Sequence, residues 1–230
     1  MHPTDRPALA VARCAPLPVP DGFADRLKAI DVQLDVSVLA ALGDYLARLL
    51  AMNEHMNLTA IVEPGDAWVK HALDALTLLP FLRELPAGAS LADVGSGGGV
   101  PGIPLALARR DLLVTLIEST QKKAAFLADV ARDLGLEHVT VRAERAETLG
   151  RDELRGAFDV VTARAVSKLN VLVPIAASLV RRGGLLLLVK GQRVDEELAD
   201  AGKVLKQEGV VHEKTVVTPT GRIVVLRRVR

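Results

Sequence analysis

Half of the 230 residues are hydrophobic and a quarter are charged, which excludes a disordered or fibrous chain and leaves enough apolar surface for one sizeable domain plus an appendage. With 29 basic and 28 acidic side chains the formal charge is +1, so no global field marks the chain for nucleic acid, and a polyanion partner has to meet a local patch. The single cysteine, Cys14, excludes a disulfide framework and a cysteine-rich zinc site; with no signal-peptide core and no run near the roughly 20 apolar residues of a membrane span, a cytoplasmic protein is expected.

Residues 1–20 hold five prolines, at positions 3, 7, 16, 18 and 20, which keep the backbone extended and deny it helical hydrogen bonds; a disordered tail is expected there. The region 21–86 reads as helical. Phe23, Leu27 and Ile30 make a short apolar stripe, Ser37 is placed to cap a longer helix with Leu39, Leu42, Leu46, Leu49 and Leu50 on one side, and Trp68–Leu82 reads as a third apolar helix after the loop 57–65. A break at Leu85-Pro86-Ala87-Gly88 separates this region from a second one, 87–230.

In that second region strands and helices alternate as in βαβ units. Strands are expected at Ser90–Val94, Leu113–Glu118, Val139–Ala143, Phe158–Ala163, Leu185–Lys190, Val210–Thr218 and Ile223–Arg228, and helices at Ile103–Arg109, Lys122–Leu134, Ala146–Leu154 and Asn170–Arg181. The last two strands are joined only by Pro219-Thr220-Gly221-Arg222, too short for a crossover, so they pair as a hairpin and one runs antiparallel. The fold class is α/β: a Rossmann-like, seven-stranded, mostly parallel sheet with a reversed C-terminal strand, preceded by helices.

The strongest local signal is the strand that runs from Leu91-Ala92-Asp93-Val94 into Gly95, Gly97, Gly98, Gly99 and Gly102 before a helix. Such a loop lets a ligand approach main-chain atoms that a Cβ would block. A dinucleotide fingerprint fits Gly97, Gly99 and Gly102, but it starts past the strand end and contains Pro101. The pattern Asp93-x-Gly95-x-Gly97-x-Gly99 instead resembles the first motif of Rossmann-like S-adenosylmethionine-dependent methyltransferases, and is favoured. Glu118, at the tip of the next strand, is placed to accept ribose hydroxyls in either reading; its bland alternative is a helix cap.

Met56-Asn57-Leu58-Thr59, Lys70-His71-Ala72-Leu73-Asp74, Asp93 to Pro104, Phe158 to Ala165 and Val189-Lys190-Gly191-Gln192 together resemble the bacterial 16S ribosomal RNA guanine-N7 methyltransferase family, RsmG, once called glucose-inhibited division protein B. The resemblance covers roughly residues 37–230. It implies methylation of N7 of guanine 527 in 16S rRNA of the small subunit with S-adenosylmethionine as donor. It also implies cofactor contacts at Gly95 and Val100, at Ala146 and Glu147 after the third strand, and at Arg164 after the fourth; Gly97 is a cofactor candidate from the glycine-loop pattern itself. For Glu147 the alternative is a surface helix acid, and for Arg164 an ion pair with a neighbouring acid.

The chemistry fits these residue types. Guanine N7 carries an in-plane lone pair and no proton, so alignment is the main demand and no general base is needed. An exocyclic-amine motif is missing at Thr162-Ala163-Arg164-Ala165, and the one cysteine lies in the tail, which disfavours C5 chemistry. His71 and Asp74 share a helix face, where a packing role is favoured over catalysis. Lys190 and Arg193 follow the fifth strand and are candidates for RNA phosphate. With four Phe, one Trp and one Tyr for stacking, the expected partner is folded rRNA or the small subunit, met by a monomer. The rival readings are an NAD-dependent oxidoreductase and a non-catalytic RNA-binding protein with a methyltransferase fold. No metal is expected.

Overall fold

The fold is that of a computed structural model, which describes residues 14–230. Its centre is a seven-stranded sheet: β1 (Ser90–Val94), β2 (Leu113–Ile117), β3 (Val139–Arg142), β4 (Phe158–Arg164), β5 (Val180–Lys190), β6 (Val210–Val217) and β7 (Arg222–Arg228). The order is β3-β2-β1-β4-β5-β7-β6, with β1 to β5 parallel and β7 antiparallel to both β5 and β6. The expected reversed strand of the hairpin is thus β7, which inserts between β5 and β6. Central strands such as β1 and β5 are apolar on both faces because helices cover both sides.

Alternation along the strands divides the core in two. Leu91, Val114, Leu116, Val160, Leu187 and Val225 face one side, packing on α2 (Val36–Met56), α5 (Gly102–Ala108) and α6 (Gln121–Asp133). Ala92, Val94, Val161, Ala163, Leu188 and Val224 face the other, packing on α7 (Ala146–Arg151), α8 (Leu169–Leu179) and α9 (Val194–Glu208). The N-terminal helices have no core of their own. Phe23 of α1 (Phe23–Ala29), Tyr45 and Leu46 of α2 and Trp68 belong to the first cluster with the sheet, and Phe23 meets Trp68 edge to face at 4.9 Å.

Several expectations need correction. The tail expected to be disordered over 1–20 divides: residues 1–13 lie outside the described residues, whereas Leu17 packs on the core and its N–H donates to Gly43 O of α2 at 3.0 Å. The N-cap of α2 is Asp35, and Ser37 lies inside the helix. The third helix begins earlier and is not uniform. From α3 (Pro64–Ala67) it passes through a π-helical turn (Trp68–Leu73) into α4 (Asp74–Leu76), and after Thr77, whose hydroxyl bonds back to Asp74 O, only a 3-10 turn (Leu79–Leu82) around Pro80 follows. The helix expected to reach Arg181 ends at Leu179, because Val180 turns extended and opens an irregular start to β5 at Gly183 and Gly184. The sequence reading had no helix at Val194–Glu208, where the structure has α9.

By length and composition α2 is apolar enough to cross a membrane, which the reading of the bare sequence did not register. In the fold its Leu42, Tyr45, Leu46 and Leu49 lie in the core, and its buried Arg48 pairs with Asp44 at 2.7 Å and Asp133 at 2.8 Å.

Candidate functional site

The carboxyl ends of β1 and β4 meet at the point where the strand order reverses, the position at which doubly wound sheets open a ligand crevice. The glycine loop lies there. Gly95 has φ +68°, and a Cβ on it would lie 2.9 Å from the Val166 side chain on the loop after β4. Gly102 starts α5 so close to β1 that a Cβ would stand 2.2 Å from Leu116 and 2.8 Å from the Asp93 carboxylate.

That closeness lets Asp93 anchor the loop. Its fully buried carboxylate accepts from Gly102 N–H at 3.1 Å and from the Thr162 hydroxyl at 3.1 Å. Burial pushes its pKa up to about 6, and the Ser96, Gly102 and Thr162 donors, with the Arg164 charge, hold it from rising further. From the N-terminal layer, the buried Tyr45 hydroxyl donates to Gly98 O at 2.9 Å; burial drives that phenol's pKa well upward, so it remains a donor. Glu118 closes the loop from β2, accepting from Gly97 N–H at 3.0 Å and from Thr120 N–H at 2.7 Å. Both carboxylate oxygens of Glu118 are thus engaged with backbone amides.

Gly95 separates two crevices of about 140 Å3 each. One is bordered by Thr59, His71, Gly97, Gly98, Val100 and Arg164; the other by Ile117, Ser119, Arg145, Ala146, Glu147 and Val166. The residues proposed for the cofactor, which stand apart in sequence, therefore collect around one glycine, with Glu118 bonded to the loop between them. Lys190 does not join them. Its side chain is 9% exposed, its ammonium donates to Ser167 O at 2.7 Å and pairs with Glu197 at 2.7 Å, and it is the neighbouring Arg193 that is exposed. Among the described residues no group of three or more His, Cys, Asp or Glu side chains is placed to hold a metal ion.

Behind the first crevice is a polar cluster that ties four segments together. Arg164, at the end of β4, donates to Asp74 at 3.1 Å, to Lys70 O at 2.6 Å and to His71 Nδ1 at 3.1 Å. The Thr220 hydroxyl of the β6–β7 turn donates to the other Asp74 oxygen, and His71 Nε2 lies 3.0 Å from Thr59 Oγ1. Burial, then the Arg164 charge, lowers the His71 pKa to about 4, so the ring is neutral near pH 7. Arg164 thus makes the ion pair weighed for it, with Asp74, and also borders the first crevice. Thr59 and Thr162 lay in quoted motifs and Thr220 in the quoted turn between the last two strands, but no role was read for them; Tyr45 is brought in only by tertiary packing.

The reversed β7 and the β1/β4 crevices define a Rossmann-like methyltransferase fold, not the six parallel strands of a dinucleotide-binding sheet. Solved structures agree on the fold: a ribosomal protein L11 methylase from Lactobacillus delbrueckii subsp. bulgaricus (16% identical, TM-score 0.53, 69% of this chain and 78% of that one) and a precorrin-6y C5,15-methyltransferase from Geobacter metallireducens GS-15 (17%, TM-score 0.52, 68% and 87%). Residues 38–224 match the family described as rRNA small subunit methyltransferase G (GidB), and the chain belongs to that family. It is 62% identical over 228 residues, 99% of this chain and 95% of the relative, to ribosomal RNA small subunit methyltransferase G of Sorangium cellulosum (strain So ce56). To the protein of that name from Halorhodospira halophila it is 44% identical, covering 86% of this chain and 90% of the relative.

Proposed function

We propose that this protein methylates N7 of guanine 527 in 16S ribosomal RNA of the small subunit, in the cytoplasm, with S-adenosylmethionine as donor. The observation that carries the reading is the pair of crevices meeting at Gly95 in a chain of the small-subunit methyltransferase G family. An elongated nucleoside with an amino-acid end fits such a pair, since it can cross the one position where a side chain would meet Val166. Gly95, Gly97, Val100 and Arg164 would border the amino-acid end, Glu118 the ribose, and Ala146 and Glu147 the adenine. When bound, S-adenosylmethionine supplies an electrophilic methyl group.

The protein's own part is alignment. Both His71 ring nitrogens are engaged, one with Arg164 and one with Thr59, and Asp74 is held by Arg164 and Thr220, so neither is free to remove a proton. An acceptor nitrogen with a lone pair and no proton suits a site of this kind. The balanced net charge and few aromatic side chains favour folded rRNA or the assembled subunit over naked single strands, with exposed Arg193 as a candidate phosphate contact.

The test is incorporation of labelled methyl groups into small ribosomal subunits lacking the modification, followed by mapping of the altered base. Label at N7 of guanine 527 is expected. Label on another base, or equal labelling of short unstructured RNA, would overturn the assignment of acceptor.

A further inference from the structure

Thr59 is fixed more firmly than a loop residue needs to be. Its N–H donates to Asn53 Oδ1 of α2 at 2.8 Å, and its Oγ1 accepts from Ile61 N–H at 3.0 Å and lies 3.0 Å from His71 Nε2. The direction of that last bond follows from the other side of the ring. A guanidinium only donates, so Arg164 at 3.1 Å makes His71 Nδ1 an acceptor. A neutral imidazole with Nδ1 accepting carries its hydrogen on Nε2, and that hydrogen goes to Thr59 Oγ1.

With Ile61 N–H and His71 Nε2–H both directed at it, Thr59 Oγ1 has used its two lone pairs. Its own hydrogen remains, and among the described residues no acceptor takes it. The residue is half-buried and borders the glycine-loop crevice. What enters that crevice therefore meets a hydroxyl that can only donate.

We propose that Thr59 is a hydrogen-bond donor to the carboxylate at the amino-acid end of the methyl donor, its hydroxyl oriented by the Arg164–His71 pair. This rests on the reading of the crevice as a cofactor site. Of the groups at that end, an ammonium has no lone pair and only the carboxylate accepts strongly. Arg164, though paired with Asp74, borders this crevice, whereas the other is bordered by Glu144 and Glu147 as well as Arg145, so it offers a carboxylate no net positive charge.

The experiment compares S-adenosylhomocysteine with 5′-methylthioadenosine, which lacks the amino-acid end, by titration calorimetry on the full chain. For Thr59→Val, the dissociation constant of S-adenosylhomocysteine should rise roughly tenfold or more while that of 5′-methylthioadenosine changes less than about twofold, and Thr59→Ser should restore tight binding. Thr59→Ala is the second deletion if valine does not fit. Equal weakening of both ligands would mean that Thr59 only supports the loop, and no weakening of either would mean that its hydroxyl serves solvent or the RNA base; either result overturns the proposal. Failure of the unaltered protein to bind S-adenosylhomocysteine would instead remove the cofactor reading itself.

Discussion

Two glycines of the site are required for different physical reasons, and substitution separates them. At Gly95 the backbone is left-handed and a Cβ would stand 2.9 Å from the Val166 side chain, so Gly95→Ala costs about 1–2 kcal/mol of stability. The larger effect is on the crevices, since the added group stands where they meet. Gly95→Val is expected to weaken S-adenosylhomocysteine binding at least tenfold in calorimetry while far-UV circular dichroism stays unchanged. At Gly102 a Cβ would lie 2.2 Å from Leu116 inside the core, so Gly102→Ala should cost about 1–3 kcal/mol in denaturant titration. The first requirement was legible in the sequence, because glycines after a strand announce a loop that something approaches. The second was not: it depends on Leu116 of β2 and Asp93 of β1 converging on one atom, which no local pattern encodes.

Among the elements, α9 shows what a sequence reading loses when an amphipathic helix is mostly polar. Its buried side is limited to Val194 and Ala201 with the partly buried Leu198, Val204 and Leu205, but its boundaries were signalled by Asp195, Glu196 and Glu197 in the first turn and Gly209 at its end. The parallel strands were found because they are short, mostly apolar stretches bounded by turn residues, unbroken at Leu185–Val189 and interrupted elsewhere by single polar residues such as Asp93, Thr115, Thr140 and Thr162. The missed helix matters to the site. Glu197 accepts from Leu169 N–H at 3.0 Å at the start of α8 and pairs with Lys190, whose ammonium also holds Ser167 O on the loop after β4. In Glu197→Gln the remaining amide oxygen can still accept from Leu169, but the nearly buried lysine loses its counter-charge. A stability loss of about 1–2 kcal/mol is expected in urea, with protection of the Leu169 amide against hydrogen exchange retained. A loss below a few tenths of a kcal/mol would show that the pair is effectively a solvated surface contact.

At the scale of the whole molecule, the N-terminal helices and the sheet share a core, so the shifted titrations of buried His71 and Asp93 both bear on global stability. The sequence break at 85–88 hid this, since a Pro-Gly turn marks a boundary in the chain without saying whether packing continues across it. His71 has its pKa lowered from 6.5 to about 4, so the unfolded chain binds the additional proton between those values and stability falls as pH drops through that window. Asp93 has its pKa raised from 3.8 to about 6, so the folded chain binds the additional proton there and stability rises as pH drops from about 6 towards 4. Each group contributes a slope of up to about 1.4 kcal/mol per pH unit, and the two oppose each other. Asp93→Asn removes one of them while an amide can still accept from Gly102 N–H and donate to Thr162 Oγ1. That variant should therefore lose stability on acidification from pH 6 to 4 more steeply than the unaltered protein, by about 1 kcal/mol or more per pH unit, in urea titrations at each pH. Parallel acid profiles for the two proteins would show that the Asp93 carboxyl is not raised by its burial under the glycine loop.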